Sequence, residues 1–138
     1  MSFTKKPTDA AVIYDGPSMI DGSPIVVIAT YSNSNRKTGG VLQTYILMRD
    51  IDPRDASKCG ADFAICGNCP HRGNATNDPK LALASGRSCY VVIGQGPLNA
   101  WKSYQRGNVY PRVADHAGMS ALGSGRTVRL GTYGDPAA

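Results

Sequence analysis

The 138-residue chain contains no glutamate: all ten of its acidic residues are aspartates. Aspartate favours caps and turns over helix interiors, so this absence argues against an all-helical fold. Nothing in the chain approaches the roughly 20 consecutive apolar residues that a membrane helix needs. The opening Met1-Ser2-Phe3-Thr4-Lys5-Lys6-Pro7 has no apolar stretch of signal-peptide length. On these two absences the expectation is a cytoplasmic protein. In that compartment thiols stay reduced, and a Cys-x-x-Cys pair is read as ligating or redox-active rather than as a structural disulfide. Acidic charge is also in deficit, with 15 Lys and Arg against 10 Asp, a net +5 and a pI near 9.2. A basic balance favours an anionic partner, nucleic acid first among them, although a solvated basic surface would show the same count.

What is abundant is glycine and proline, 16 and 9 residues, which predicts many loops. The length suits one domain spanning residues 1–138, with the polar residues 1–10 frayed. The segment 25–31 (Ile-Val-Val-Ile-Ala-Thr-Tyr) is a nearly continuous β-branched run and reads as a strand buried on both faces. After a polar loop, 41–48 reads as its antiparallel partner. Asp52 as N-cap and Pro53 at the first helical position predict a short helix over 52–58, stopped by Cys59-Gly60. Segment 62–66 reads as a brief strand, and 88–93 as another. Pro97 opens a helix over 98–106 that Gly107 ends. A second helix over 113–122, weakened by Gly118, and a final strand over 126–132 complete the reading. The fold class expected is α/β or α+β: a small mixed β-sheet with one or two helices and a long Cys-containing loop.

Chemistry concentrates in Cys66-Gly67-Asn68-Cys69-Pro70-His71-Arg72 and, further on, Cys89. Two thiols separated by two residues can meet one ion from a tight turn. His71 and Cys89 complete four ligands of the kinds that suit zinc or, alternatively, an iron–sulfur cluster. A lone pair of this kind is a moderate signal, since zinc sites usually present a second paired knuckle. The competing reading keeps Cys66 and Cys69 reduced or reversibly bridged, with Cys89 a buried strand residue and His71 solvated. Cys59 can stand in as fourth ligand but reads first as a packing residue.

Gly94-Gln95-Gly96-Pro97, placed between a strand and a helix, can offer backbone N–H groups to a phosphate. The third glycine of the dinucleotide fingerprint is missing, however, and a simple helix-opening turn is the stronger reading. From residue 81 on, Arg87, Lys102, Arg106, Arg112, Arg126 and Arg129 face only Asp115 and Asp135. Arg87, Trp101, Lys102, Arg106 and Arg112 are accordingly the candidate nucleic-acid contacts, with Tyr104 and Tyr110 interleaved for base stacking. The same spacing also fits an ordinary helix with Trp101 and Tyr104 on its core face. Asp135, Tyr133 and His116 are candidate acid–base groups, but no paired-carboxylate or Ser-His-Asp spacing supports a named reaction.

The segments 35–39, 41–47, 65–73, 88–97 and 129–136 together resemble a phage-encoded family found in bacteriophage genomes and metagenomes. That family has no assigned activity. Its members run past the Gly134-Asp135-Pro136-Ala137 turn into a second half with further cysteines, so this chain matches their N-terminal part. The resemblance implies a phage accessory protein acting in the cytoplasm of the infected bacterium. The strand-and-turn alternation also resembles a piece of iron–sulfur barrel enzymes, without their Cys-x-x-x-Cys-x-x-Cys motif. Three functions follow as expectations. One is a Cys/His metal protein that binds nucleic acid. A second is a nucleotide- or nucleic-acid-directed metalloenzyme or a fragment of one. The third is a small inhibitor of a host defence or transcription protein.

Overall fold

The structure is a computed structural model and describes residues 10–32, 41–81, 83–89, 93, 96–107, 110 and 127–134. Its elements run β1 (Ala10–Pro17), β2 (Pro24–Ser32), β3 (Val41–Met48), α1 (Pro53–Cys59), α2 (Phe63–Cys66), α3 (Gly96–Gln105) and β4 (Thr127–Tyr133). The four strands form one sheet in the order β1-β2-β3-β4. The first two pairings are antiparallel and the last is parallel. This is an α+β fold built on a small mixed sheet. Among the described residues no helix is long and apolar enough to cross a membrane.

β2 is central, as its unbroken apolar run predicts: Ile25, Val26, Ile28 and Ala29 are each at most 1% exposed. A sequence that is apolar at consecutive positions fits a strand only when both faces are covered. Ile28 joins the main core with Ile46, Leu47, Ile65 and Ile93, whereas Ala29 joins a smaller cluster with Ala11 and Leu42. Each fully buried Ile or Leu contributes about 1.5–3 kcal/mol of hydrophobic stabilisation. β3 pairs with β2 over its whole length, from Ile25 opposite Met48 to Ser32 opposite Val41.

β1 was hidden in the sequence, because Asp15-Gly16-Pro17 reads as a turn and leaves only a short apolar run before it. In the fold those residues finish an edge strand, where proline costs no ladder hydrogen bond. The register shifts between Val12 and Tyr14 accommodate one extra residue as a bulge.

The helices meet expectation in two places and depart from it in one. α1 begins where predicted: Asp52 Oδ1 accepts from the Arg54 N–H at 2.8 Å, Pro53 follows, and Gly60 closes the end. Such a cap is worth about 1 kcal/mol. α3 begins at Gly96, earlier than expected, and buries Pro97, Leu98 and Ala100. Segment 62–66 is not a strand but the single helical turn α2. The Asp62 carbonyl accepts from the N–H groups of Ile65 and Cys66 at 3.0 and 2.8 Å. The turn buries Ala64 and Ile65 while its backbone groups bond locally, with no described strand of the sheet paired to it. Of the expected strand 88–93, Ser88 and Cys89 are irregular, Ile93 lies buried in a turn, and 90–92 fall outside the described residues. The expected helix 113–122 and the residues Gly94 and Gln95 also fall outside them.

Candidate metal centre

α2 carries Cys66 to its place, and three contacts hold α2. The buried Ser18 hydroxyl, in the β1–β2 connection, donates to the Ala64 carbonyl. Ile65 packs into the core at 1% exposure. On the far side, a Cβ at Gly134 would lie 2.8 Å from Ile46 Cβ and 3.4 Å from the Ile65 carbonyl, and Gly134 has φ +90°. Only glycine allows the chain leaving β4 to press this closely on Ile46 of β3, which leaves it in contact with the Ile65 carbonyl of α2.

Beyond Cys66 the chain winds through two loose turns, Cys69 N–H to Cys66 carbonyl and Arg72 N–H to Cys69 carbonyl, both 3.3 Å. Arg72 then reaches back across the motif. Its Nε donates to Asp62 Oδ1 at 2.8 Å, Nη2 to the Gly60 carbonyl at 2.8 Å and Nη1 to the Gly67 carbonyl at 3.3 Å. The guanidinium also lies 5.5 Å from the centre of the Phe63 ring. Asp62 is buried at 3% exposure. Burial raises its carboxyl above the ordinary value, with Arg72 and Arg87 pulling the other way.

The second arm returns alongside. The His71 carbonyl accepts from both the Ser88 and Cys89 N–H groups at 3.0 Å, and Asn74 pairs with Ser85 in an isolated antiparallel bridge. Gly73 makes this possible: with φ +83°, a Cβ there would stand 2.8 Å from the Ser85 carbonyl and 2.9 Å from the Arg87 nitrogen. Thus residues 71 and 89, distant in sequence, share one backbone contact.

All four cysteines are free thiols. Cys66 is half-buried, and burial is the first cause that pushes its thiol from 9.0 up to about 12, with Asp62, Cys69 and Cys89 adding as like charges. Cys69 and Cys89 thus both bear electrostatically on the Cys66 thiol. Cys69 is exposed. His71 is exposed as well, its Nδ1 2.9 Å from Ser88 Oγ. A bond at Nδ1 is how a ligating histidine is commonly oriented so that Nε2 is left for an ion. Among the described residues no group of three or more His, Cys, Asp or Glu is closed around a point that would hold a metal. The donors are gathered but not clasped. Cys59, expected to pack, instead lies exposed in the last turn of α1, where its sulfur faces the Ala56 carbonyl at 3.9 Å.

The candidate nucleic-acid residues divide. Arg87 belongs to the thiol region, its Nη1 donating to the Cys89 carbonyl at 3.3 Å. Trp101 is partly buried against the main core and donates from Nε1 to the Arg49 carbonyl at 3.2 Å, so the core-face reading of α3 holds for it. Tyr104 also packs against that core and donates to Asp15 Oδ2 at 3.2 Å. Lys102 and Arg106, four residues apart along the helix and its end, are exposed. Arg112, His116 and Asp135 lie outside the described residues.

Sequence reasoning missed Arg72 and Asp62 as site residues. The adjacency of Arg72 to the Cys-x-x-Cys motif was the one available signal. No protein family, curated protein or solved structure matches this chain.

Proposed function

We propose that the chain is a phage-encoded accessory protein in which Cys66, Cys69, Cys89 and His71 hold a structural zinc ion and the exposed cations bind an anionic partner, most simply nucleic acid. The observation that carries this reading is the backbone pairing that brings Cys89 beside His71, close after the Cys66–Cys69 turn at the end of α2. Between α2 and α3 the described chain has no helix or strand. A segment so poor in regular structure gains much from a clip, because ion binding supplies folding free energy where packing is thin. A thiol held near 12 by burial is also a poor redox nucleophile in the metal-free chain. A cation reverses that penalty, since thiolate is the ligating form.

The partner reading draws on Lys102 and Arg106, which project from α3 where its opposite face is packed. Arg87 lines the same protein's thiol region and would tie phosphate binding to the clip.

A second reading, a metalloenzyme with an iron–sulfur cluster, draws on one observation. Ile65, the residue before Cys66, has its carbonyl beside Gly134 at the C-terminal end of β4, which is parallel to β3, and ligands of α/β sheets collect at such ends. Metal analysis of protein purified anaerobically under reducing conditions separates the two. One zinc per chain, lost in Cys66→Ser, is expected. Iron with an absorption band near ~400 nm supports the enzyme instead, and absence of any metal after anaerobic reconstitution sinks both.

A further inference from the structure

Cys66-Gly67-Asn68-Cys69 closes as a tight β-turn. The Cys69 N–H donates to the Cys66 carbonyl at 3.3 Å, the bond that joins the two ends of a four-residue turn. Gly67 has φ 58° and ψ −137°, the left-handed first central position of a type II′ turn, which glycine occupies without strain. Asn68 keeps a negative φ, as that turn requires. A turn closed in this way holds the Cα atoms of its end residues within about 7 Å of each other. A disulfide spans Cα atoms about 4.4–6.8 Å apart. Both end residues carry free thiols.

The turn is anchored on each side. The Cys66 N–H donates to the Asp62 carbonyl at 2.8 Å, and the Arg72 N–H donates to the Cys69 carbonyl at 3.3 Å. Arg72 Nη1 reaches the Gly67 carbonyl inside the turn, also at 3.3 Å. Cys59 ends α1 and Cys89 lies beside His71, so neither shares this turn. The two thiols differ in access: Cys69 is exposed and Cys66 half-buried. A reagent arriving from solvent therefore meets Cys69 first.

We infer that Cys66 and Cys69 form a dithiol redox site, closed to a disulfide across the turn by a low-molecular-weight disulfide of the glutathione class and reopened by the corresponding thiol. The Cys69 thiolate attacks one sulfur of glutathione disulfide, whose S–S bond breaks and releases one glutathione thiolate. The Cys66 sulfur gives its proton to solvent, attacks Cys69 Sγ and expels the second glutathione. Two protein thiols are thereby oxidised to one disulfide while one glutathione disulfide is reduced to two thiols. Cys66 is a slow nucleophile in bulk terms, but it attacks from within the same turn, where proximity replaces a high thiol concentration. A ring of four residues constrains the unfolded chain little, so the bridge is a reversible catch and not a permanent staple. It needs no bound ion, and in the proposed function ion and bridge compete for the same two sulfurs.

The test is a redox titration of the purified, reduced chain in the presence of a zinc chelator, across buffers running from glutathione to glutathione disulfide. Each sample is quenched in acid, alkylated and mapped by peptide mass. In excess glutathione disulfide most wild-type chains are expected to lose the label at Cys66 and Cys69 together, joined to each other, and to regain both labels in excess glutathione. Cys66→Ser is expected to retain glutathione on Cys69, and Cys69→Ser to form no bridge at Cys66. Labels that stay on both residues at every ratio overturn the dithiol site. So does a wild type that stops at the mixed disulfide, or one that bridges either residue to Cys59 or Cys89. Wild type alone decides these outcomes if a serine variant fails to fold. Zinc uptake by the reduced chain is measured separately, so failure of the bridge and failure of the metal reading are told apart.

Discussion

Arg72 does more to hold the candidate centre together than any of its thiols. Two of its bonds go to backbone carbonyls of the α1–α2 and α2–Cys69 connections, and the third goes to a carboxylate whose side chain is only 4% exposed. Removing one partner of a buried ion pair strands the other charge, at a cost of about 3–5 kcal/mol. Arg72→Met is accordingly expected to destabilise the chain by about 3 kcal/mol in chemical denaturation. The deficit should shrink as pH falls, because Asp62, already raised by burial, then takes a proton and no longer leaves a charge buried. Cys66 gives a complementary pH signature. Its proton is held more tightly in the folded chain than in the unfolded one, so its contribution is whole below pH 9.0 and is lost as pH climbs toward about 12. Melting temperature of the metal-free protein across that interval should fall more steeply for wild type than for Cys66→Ala. Zinc should flatten the difference, since a bound thiolate has no proton left to lose.

α2 and α3 show how differently neighbouring elements are held in place. α2 spans four residues and has no independent stability; it persists because the Ser18 hydroxyl binds the Ala64 carbonyl, Ile65 is buried in the core, and Gly134 lies against the Ile65 carbonyl. α3 is an amphipathic helix with a corner of its own. Trp101 and Gln105 both donate to the Arg49 carbonyl, and Tyr104 and Arg49 both reach Asp15 on β1. The Arg49–Asp15 contact, at 3.4 Å and partly exposed, adds little; the aromatic packing carries the corner. Trp101→Ala should therefore cost about 3 kcal/mol in denaturant unfolding, and Trp101→Phe clearly less. If Trp101 served chiefly to stack bases, the Ala variant would instead keep its stability and lose only nucleic-acid affinity.

Over the whole chain, the sheet and the thiol-bearing segment are held by different forces. The sheet is secured by apolar burial on both faces of β2. The 67–89 segment is secured by backbone contacts, glycines and Arg72, and in the proposed function by an ion. A charge surplus of +5 adds a long-range positive field, which in the proposed function draws the anionic partner. Binding of a fluorescent single-stranded oligonucleotide should weaken steeply with salt. Replacing Lys102 and Arg106 together by Gln should lower the slope of log affinity against log salt by about 1.4, or about 0.7 per phosphate that each cation neutralises. An unchanged slope would remove α3 from the interface.

Periodicity and capping made β2, β3, α1, α3 and β4 legible, because each is specified by neighbours close in sequence: a β-branched run, an Asp-Pro start, a Pro-opened apolar stripe. The spacing of Cys66, Cys69, His71 and Cys89 pointed to a metal centre for the same reason. β1 and α2 were not legible. An edge strand ending in Asp-Gly-Pro looks like a turn until β2 is beside it, and a four-residue helix has too little periodicity to declare itself. Composition and local order thus determined the class of fold and the basic character of the chain. The tertiary structure alone decided that Arg72 spans the motif, that Trp101 faces the core, and that Tyr133 at the end of β4 is buried. Those outcomes depend on which distant segments share a desolvated space, and burial, unlike spacing, is a property that no stretch of chain possesses until the others have closed around it.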